Sequence, residues 1–178
     1  FWFRFKEDPE VIEHLKAENS YTEEVLKPYA DRIDDLWKEL KARFKEEDET
    51  YPTQYGDYFY YSKDLAGKEH KVYCRKKGNV DAPEEVILDV NELAKDKDYL
   101  QVGVFETSPD NKILAYSTDT DGSEMYTLYF KNLESGQLYK QTLKNTYTAL
   151  AWANDSQTVY VNQLNDKQRP DKVLRYRV

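Results

Sequence analysis

The chain is predicted to be mainly β: about three blades of an incomplete β-propeller over residues 51–178, preceded by an α-helical segment over residues 1–50. Three observations carry this. Composition shifts near residue 50: residues 1–50 hold 15 acidic against 9 basic side chains, no glycine, and only Tyr21 and Tyr29 of the 16 tyrosines. The remaining 128 residues hold the other 14 tyrosines and all six glycines. Glycine-free, Glu/Lys-rich sequence favours helix, whereas Tyr-rich sequence punctuated by glycine favours strands and turns. The apolar period also becomes two from Tyr51 onward, and a turn-plus-strand unit recurs at a fixed spacing.

In the leader, Asp8-Pro9-Glu10 is a helix start, with Asp8 able to accept from free N–H groups and Pro9 at the first helical position. Val11, Ile12 and Leu15 begin an apolar stripe. Pro28 marks a second start, and Ile33, Leu36, Trp37, Leu40 and Phe44 form a stripe wide enough to need a partner surface. The acidic run Glu46-Glu47-Asp48-Glu49 reads as a solvated helix end and linker, because its sign opposes the helix dipole.

Beyond it, Tyr58 to Tyr61, Val72 to Arg75 and Val86 to Leu88 read as three short strands. Ile113 to Ser117, Tyr126 to Phe130 and Leu138 to Leu143 form a second group. Ala149 to Trp152, Thr158 to Val161 and Leu174 to Val178 form a third. Ala66-Gly67, Asp110-Asn111, Asp121-Gly122, Ser135-Gly136 and Asp155-Ser156 supply the turns between them. Ser108 to Tyr116 lays over Ala153 to Val161, Asp155 standing 45 positions after Asp110, and a more diverged copy fits Gly56 to Asn91. Short antiparallel strands at a period of about 40–50 residues are the signature of propeller blades; the alternative is two unrelated hairpins with similar turns. The blades are placed at about 51–99, 100–146 and 147–178, the last incomplete. Three blades cannot close a ring, so the chain reads as part of a longer protein whose open sheet edges could pair with another chain.

Net charge is −8, which argues against a nucleic-acid partner held by a basic face. No stretch approaches the roughly 20 apolar residues of a membrane span, and charges at Arg4, Lys6, Glu7 and Asp8 interrupt any signal-peptide pattern. A single cysteine, Cys74, excludes an internal disulfide framework and a Cys-based zinc site. The class is soluble, acidic and cytoplasmic.

Several side chains invite sharper readings. Asp119-Thr120-Asp121-Gly122-Ser123-Glu124 resembles a calcium loop, but with Gly122 at its sixth position the first and twelfth ligand positions fall on Ser117 and Leu128, so a hairpin turn is the better reading. His14, one turn from Glu10 and Glu18, reads as helix-surface charge pairing rather than a metal site. Cys74 reads as a buried small hydrophobe rather than a reactive thiol. Arg75-Lys76-Lys77 reads as a loop rim, with steering of substrate carboxylates the alternative. Trp152 reads as blade core rather than a stacking platform.

Taken together, Leu88 to Ala94, Val104-Phe105-Glu106-Thr107-Ser108-Pro109-Asp110, Leu114-Ala115-Tyr116-Ser117, Asp121 to Glu124 and Tyr126-Thr127-Leu128 resemble the first two propeller blades of the prolyl oligopeptidase family. Val72 to Lys77 looks specifically like oligopeptidase B, and Asp8 to Ile12 with Ala17 to Thr22 resemble the helices that precede the propeller there. The resemblance implies a serine peptidase in which a seven-bladed propeller caps an α/β-hydrolase domain and admits only short peptides, cleaved after Lys or Arg in the oligopeptidase B members. It implies that residues 1–50 dock on the hydrolase domain. The partners expected are therefore the remaining blades, the hydrolase domain, and short basic peptides. A proline-specific member, or a non-catalytic propeller fragment used for protein binding, are the alternatives.

No catalytic, cofactor or metal residue is assigned. The six glycines never stand four apart, so no Gly-x-Ser-x-Gly elbow exists, and only His14 and His70 could serve as a triad base. This segment alone is expected to be inactive.

Overall fold

The computed structural model describes residues 2–178, and the chain divides into a helical unit ending at Lys45 and a β unit from Glu46 to Val178. In the helical unit, α1 (Pro9–Leu26) is capped by Asp8, whose Oδ1 accepts from the N–H of Glu10 at 2.9 Å. Pro28 lies in a short 3-10 turn, Lys27–Tyr29, which separates α1 from α2 (Ala30–Lys41). That is the expected place for a break, because proline has no N–H to continue the α ladder. Within α1 only Val11 is buried, and within α2 nothing is. No helix among the described residues is long and apolar enough to cross a membrane.

The β unit begins inside the acidic run. Asp48–Glu49 (β1) and Thr53–Tyr55 (β2) both pair antiparallel with Tyr58–Asp64 (β3), followed by Val72–Lys77 (β4) and Glu84–Asp89 (β5). The expected solvated helix end at Glu46 to Glu49 is therefore corrected: Asp48 and Glu49 lie opposite Asp64 and Lys63. The pairing is extended by Thr50, whose N–H donates to the Ser62 carbonyl while its hydroxyl accepts from the Ser62 N–H. Ladder pairing overrides the run's composition. A short helix, α3 (Val90–Ala94), capped by Asp89, then leads to the second sheet.

That sheet is one continuous antiparallel ladder of six strands in chain order: β6 (Gln101–Thr107), β7 (Ile113–Asp119), β8 (Tyr126–Asn132), β9 (Leu143–Trp152), β10 (Thr158–Leu164) and β11 (Pro170–Arg177). The strand expected at Leu138 to Leu143 is not formed; Leu138 makes a single bridge to Lys131. Instead β9 runs for ten residues and serves two blades. It pairs with β8 through Leu143 opposite Leu128 and Thr146 opposite Tyr126, and with β10 through Thr146 opposite Gln163 and then Leu150 to Trp152 opposite Val161 to Val159. Asn145, at φ +57°, lies between Leu143 and Thr146, where the β8 register shifts.

Two cores join the blades. Ile87, Leu88 and Val90 of the first blade pack with Leu114, Tyr116 and Leu133 of the second, and Tyr73 stacks on Phe105 with ring centres 4.0 Å apart. Leu128 and Phe130 are fully buried against Val159 and Val161 of the third blade, and Phe130 stacks on Tyr176. Burial of each such side chain contributes about 1.5–3 kcal/mol.

Side chains at one turn position reach between blades. The turns after the first strands of the three blades place Gly56, Asn111 and Ser156 at φ +59°, +61° and +56°. Asn111 Oδ1 accepts from the Tyr60 hydroxyl at 2.7 Å, and its carbonyl accepts from Arg75 Nη1 at 2.6 Å. Ser156 Oγ in turn accepts from the N–H of Asp110 at 3.1 Å. The residue 45 positions on thus repeats the reach from the third blade to the second.

Substitutions at two positions test these constraints by urea unfolding. A Cβ at Gly103 would stand 2.7 Å from the Tyr126 ring and 2.9 Å from Ser117 Oγ, so Gly103→Ala is expected to lower stability by about 1–3 kcal/mol. Arg75→Ala strands the Asn111 carbonyl and is expected to cost about 2–3 kcal/mol, with Arg75→Lys recovering little because a single ammonium cannot replace the fork. A midpoint unchanged in either would remove that contact from the account.

Candidate functional site

The innermost strands β2, β6 and β9 end at the turns carrying Gly56, Asn111 and Ser156, and there a cavity of about 570 Å³ opens. Its walls include Tyr55 and Tyr60 from the first blade, Phe105 and Glu106 from the second, and Trp152 from the third. The architecture holds the walls in place: Tyr60 is tied to Asn111, Phe105 is stacked on Tyr73, and Trp152 meets Phe130 edge-on. Trp152 is half-buried, packing against the core beside Phe130 while also forming cavity wall; among the described residues its Nε1 is a buried donor with no acceptor.

Glu106 was not singled out as a site residue, although it stands in the motif that carries the family resemblance. Glu106 is exposed on β6, and partial desolvation by its neighbours shifts its carboxyl upward. Nothing in the pattern of alternating residues distinguishes it from an ordinary outward-facing glutamate on a strand.

A second cluster lies on the first blade around Cys74. The Tyr61 hydroxyl donates to Glu84, and Lys63 Nζ donates to the same carboxylate at 2.7 Å. Burial pushes the Cys74 thiol up to about 11, with the Glu84 charge adding to it. Burial and then the bond to Glu84 raise the Tyr61 phenol, and the bond to Glu84 raises the Lys63 ammonium. Burial alone would raise the Glu84 carboxyl, but the bonds from Lys63 and Tyr61 outweigh it and hold the group low. At neutral pH the thiol stays protonated, so the cluster offers no nucleophile.

The basic run is corrected. Arg75 is 2% exposed; its Nε and Nη2 hold both Glu85 oxygens at 2.8 and 2.9 Å, and its guanidinium lies 4.0 Å from the Tyr58 ring centre. Arg75 is turned inward, while Lys76 and Lys77 extend over the Tyr61 and Tyr58 rings near the strand's end, Lys76 also donating to the Val80 carbonyl. The calcium-like loop closes as the hairpin turn expected: Asp119 accepts from the N–H groups of Asp121, Gly122 and Glu124, which occupies its carboxylate. His14, exposed on α1, packs against the rings of Trp2 and Phe3 at 5.3 and 6.0 Å.

In the helical unit, a groove of about 820 Å³ runs between α1 and α2, lined by Leu26, Ala30, Ile33 and Trp37 among others. Ile33, Leu36, Trp37, Leu40 and Phe44 are all exposed, Trp37 at 62% and Phe44 at 77%.

Comparison with known proteins places this geometry. The family described as "Prolyl oligopeptidase, N-terminal beta-propeller domain" matches residues 1–178. Among curated relatives, dipeptidyl aminopeptidase BI of Pseudoxanthomonas mexicana is 37% identical over 90% of the chain, and protease 2 of Moraxella lacunata is 32% identical over all of it. The chain spans 24% and 27% of those two proteins, about a quarter of their length. Oligopeptidase B from Leishmania major superposes on the whole chain with a TM-score of 0.88 at 33% identity, covering 26% of that protein. Prolyl oligopeptidase B from Galerina marginata, at 20% identity over 99% of the chain and a TM-score of 0.84, shares the fold, with 27% of its own chain covered.

The titration of Glu106 supplies a test. A carboxyl raised by folding takes stability away as pH rises from its unfolded value, about 4.3, through its folded one. Glu106→Gln is therefore expected to raise the unfolding midpoint at pH 7 and to leave it nearly unchanged at pH 4. Equal effects at both pH values would show that burial does not penalise the charge.

Proposed function

The chain belongs to the prolyl oligopeptidase family, of which it carries the N-terminal propeller domain, and from that premise we propose that its parent is an oligopeptidase-B-like serine endopeptidase. It cleaves short peptides after Lys or Arg, with the propeller limiting access to a hydrolase domain that lies outside these 178 residues. The observation that carries this reading is the whole-chain likeness to oligopeptidase B at 33% identity, against 18–22% for the prolyl-specific structures compared. This segment contributes no nucleophile or general base; its part is to filter and to dock.

Docking falls to the helical unit. An α2 face bearing Ile33, Leu36, Trp37 and Leu40 has no burial within the chain, and a stripe of this width is retained on a soluble helix when another surface covers it. The hydrolase domain is the proposed cover.

Two measurements on the full-length protein test the reading. It should hydrolyse peptides after Arg or Lys in preference to matched peptides with Pro at the same position, and a serine-directed phosphonylating reagent should stop it. Preference for Pro would assign the proline-specific alternative, and no hydrolysis would leave the propeller as a binding module. Trp37→Ser should lower the thermal midpoint by several degrees if the indole is covered, since a fully buried aromatic contributes about 3 kcal/mol. A shift near zero would place Trp37 in solvent.

A further inference from the structure

The grip of the first blade on the second has a counterpart on the third blade. Tyr60 and Arg75 lie directly opposite one another on β3 and β4. Together they take Asn111, which stands in the left-handed turn after the innermost strand of the next blade. At a spacing of 100 positions, Tyr160 and Arg175 lie directly opposite one another on β10 and β11. The left-handed turns keep the same spacing, Gly56 to Ser156, so the two pairs occupy equivalent places in their blades. They also share a face. Leu174 and Tyr176 turn toward the second blade, where Tyr176 stacks on Phe130; Arg175 stands between them and therefore points the other way. Tyr160 does the same between the buried Val159 and Val161. Tyr160 is 43% exposed, and the exposed Arg175 makes no ion pair or side-chain hydrogen bond among the described residues.

Blade geometry alone does not demand this pair. At the same register the second blade has Ala115 opposite Phe130, an apolar match for the third blade, to which β9 already joins it. We propose that Tyr160 and Arg175 are the third blade's grip on the blade that follows, and that its occupant is the left-handed turn after that blade's innermost strand, about 45 residues beyond Ser156. That turn lies outside these 178 residues, in a protein whose matched relatives are spanned by this chain for only 24% and 27% of their length. Its backbone carbonyl accepts from the Arg175 guanidinium, which has donors only. An asparagine or aspartate at the turn accepts from the Tyr160 hydroxyl, because these residues tolerate left-handed backbone and carry a short acceptor. Val173, 69% exposed on the same face, takes the place that Tyr73 holds against Phe105 in the first junction. The grip follows from the propeller repeat and is independent of any peptidase activity.

Full-length protein tests it by arginine modification and by hydrogen exchange, both read by peptide mass spectrometry. Phenylglyoxal should modify Arg175 at least about tenfold more slowly in native than in unfolded protein, as it should the buried Arg75. Arg175→Met, which keeps an apolar stem, should speed amide exchange about tenfold in the turn of the following blade and leave the Asn111 turn unchanged. Arg75→Met should do the reverse. Should Arg175→Met fail to fold, Tyr160→Phe removes one hydroxyl and should give the same local change at smaller amplitude. Equal modification of Arg175 in native and unfolded protein overturns the grip, because the guanidinium is then in solvent. Protection of Arg175 without a change in that turn also overturns it and assigns the guanidinium another cover. Faster exchange spread evenly over all blades does so too, since Arg175 then serves general stability.

Discussion

Asn111 carries the junction between the first two blades. The first sheet and the second share no backbone ladder, so their relative position depends on side chains alone. Asn111 sits in a left-handed turn where a short polar side chain is tolerated, and from there it meets the first blade three ways. Its amide oxygen takes the Tyr60 hydroxyl and its carbonyl takes Arg75. Its amide nitrogen lies 2.7 Å from where a Cβ on Gly56 would be, so that glycine's missing side chain is part of the fit. The second and third blades have another solution: β9 passes through both, and the Ser156 contact supplements a continuous ladder.

Burying a guanidinium at that junction has a cost that packing alone would not justify. Desolvation works against the charged Arg75, and the two bonds to Glu85 together with the Tyr58 ring offset it. An apolar residue of similar volume could fill the space at least as stably. What it could not do is recognise a carbonyl in one defined orientation. The charge therefore contributes register between blades, together with Lys131, whose Nζ donates to the Ile87 carbonyl at 2.9 Å, where the sheets otherwise meet through apolar faces.

In the helical unit one surface remains once folding has taken what it needs: the apolar face of α2, whose side chains are exposed and are not explained by the stability of this chain. A protein surface is its proposed cover.

Local chemistry was sufficient for the helical leader, for most strands, and for the 45-residue repeat. Asp8, Pro9 and Pro28 act within a turn of themselves, and alternation at Tyr126, Leu128 and Phe130 reports one buried face wherever the strand is placed. The resemblance to the family was likewise carried by motifs in the linear chain. Tertiary structure decided what depends on a distant partner. Asp48 and Glu49 became strand because Lys63 and Asp64 offered a free ladder edge, and the strand expected at Ala149 to Trp152 begins instead at Leu143 because β8 as well as β10 pairs with it. Arg75 looked like a surface lysine's neighbour until Asn111, 36 residues away, supplied the acceptor that makes its burial tolerable. Alternation and capping are properties of neighbours along the chain, whereas burial of a charge and the walls of a cavity are properties of segments brought together by the fold.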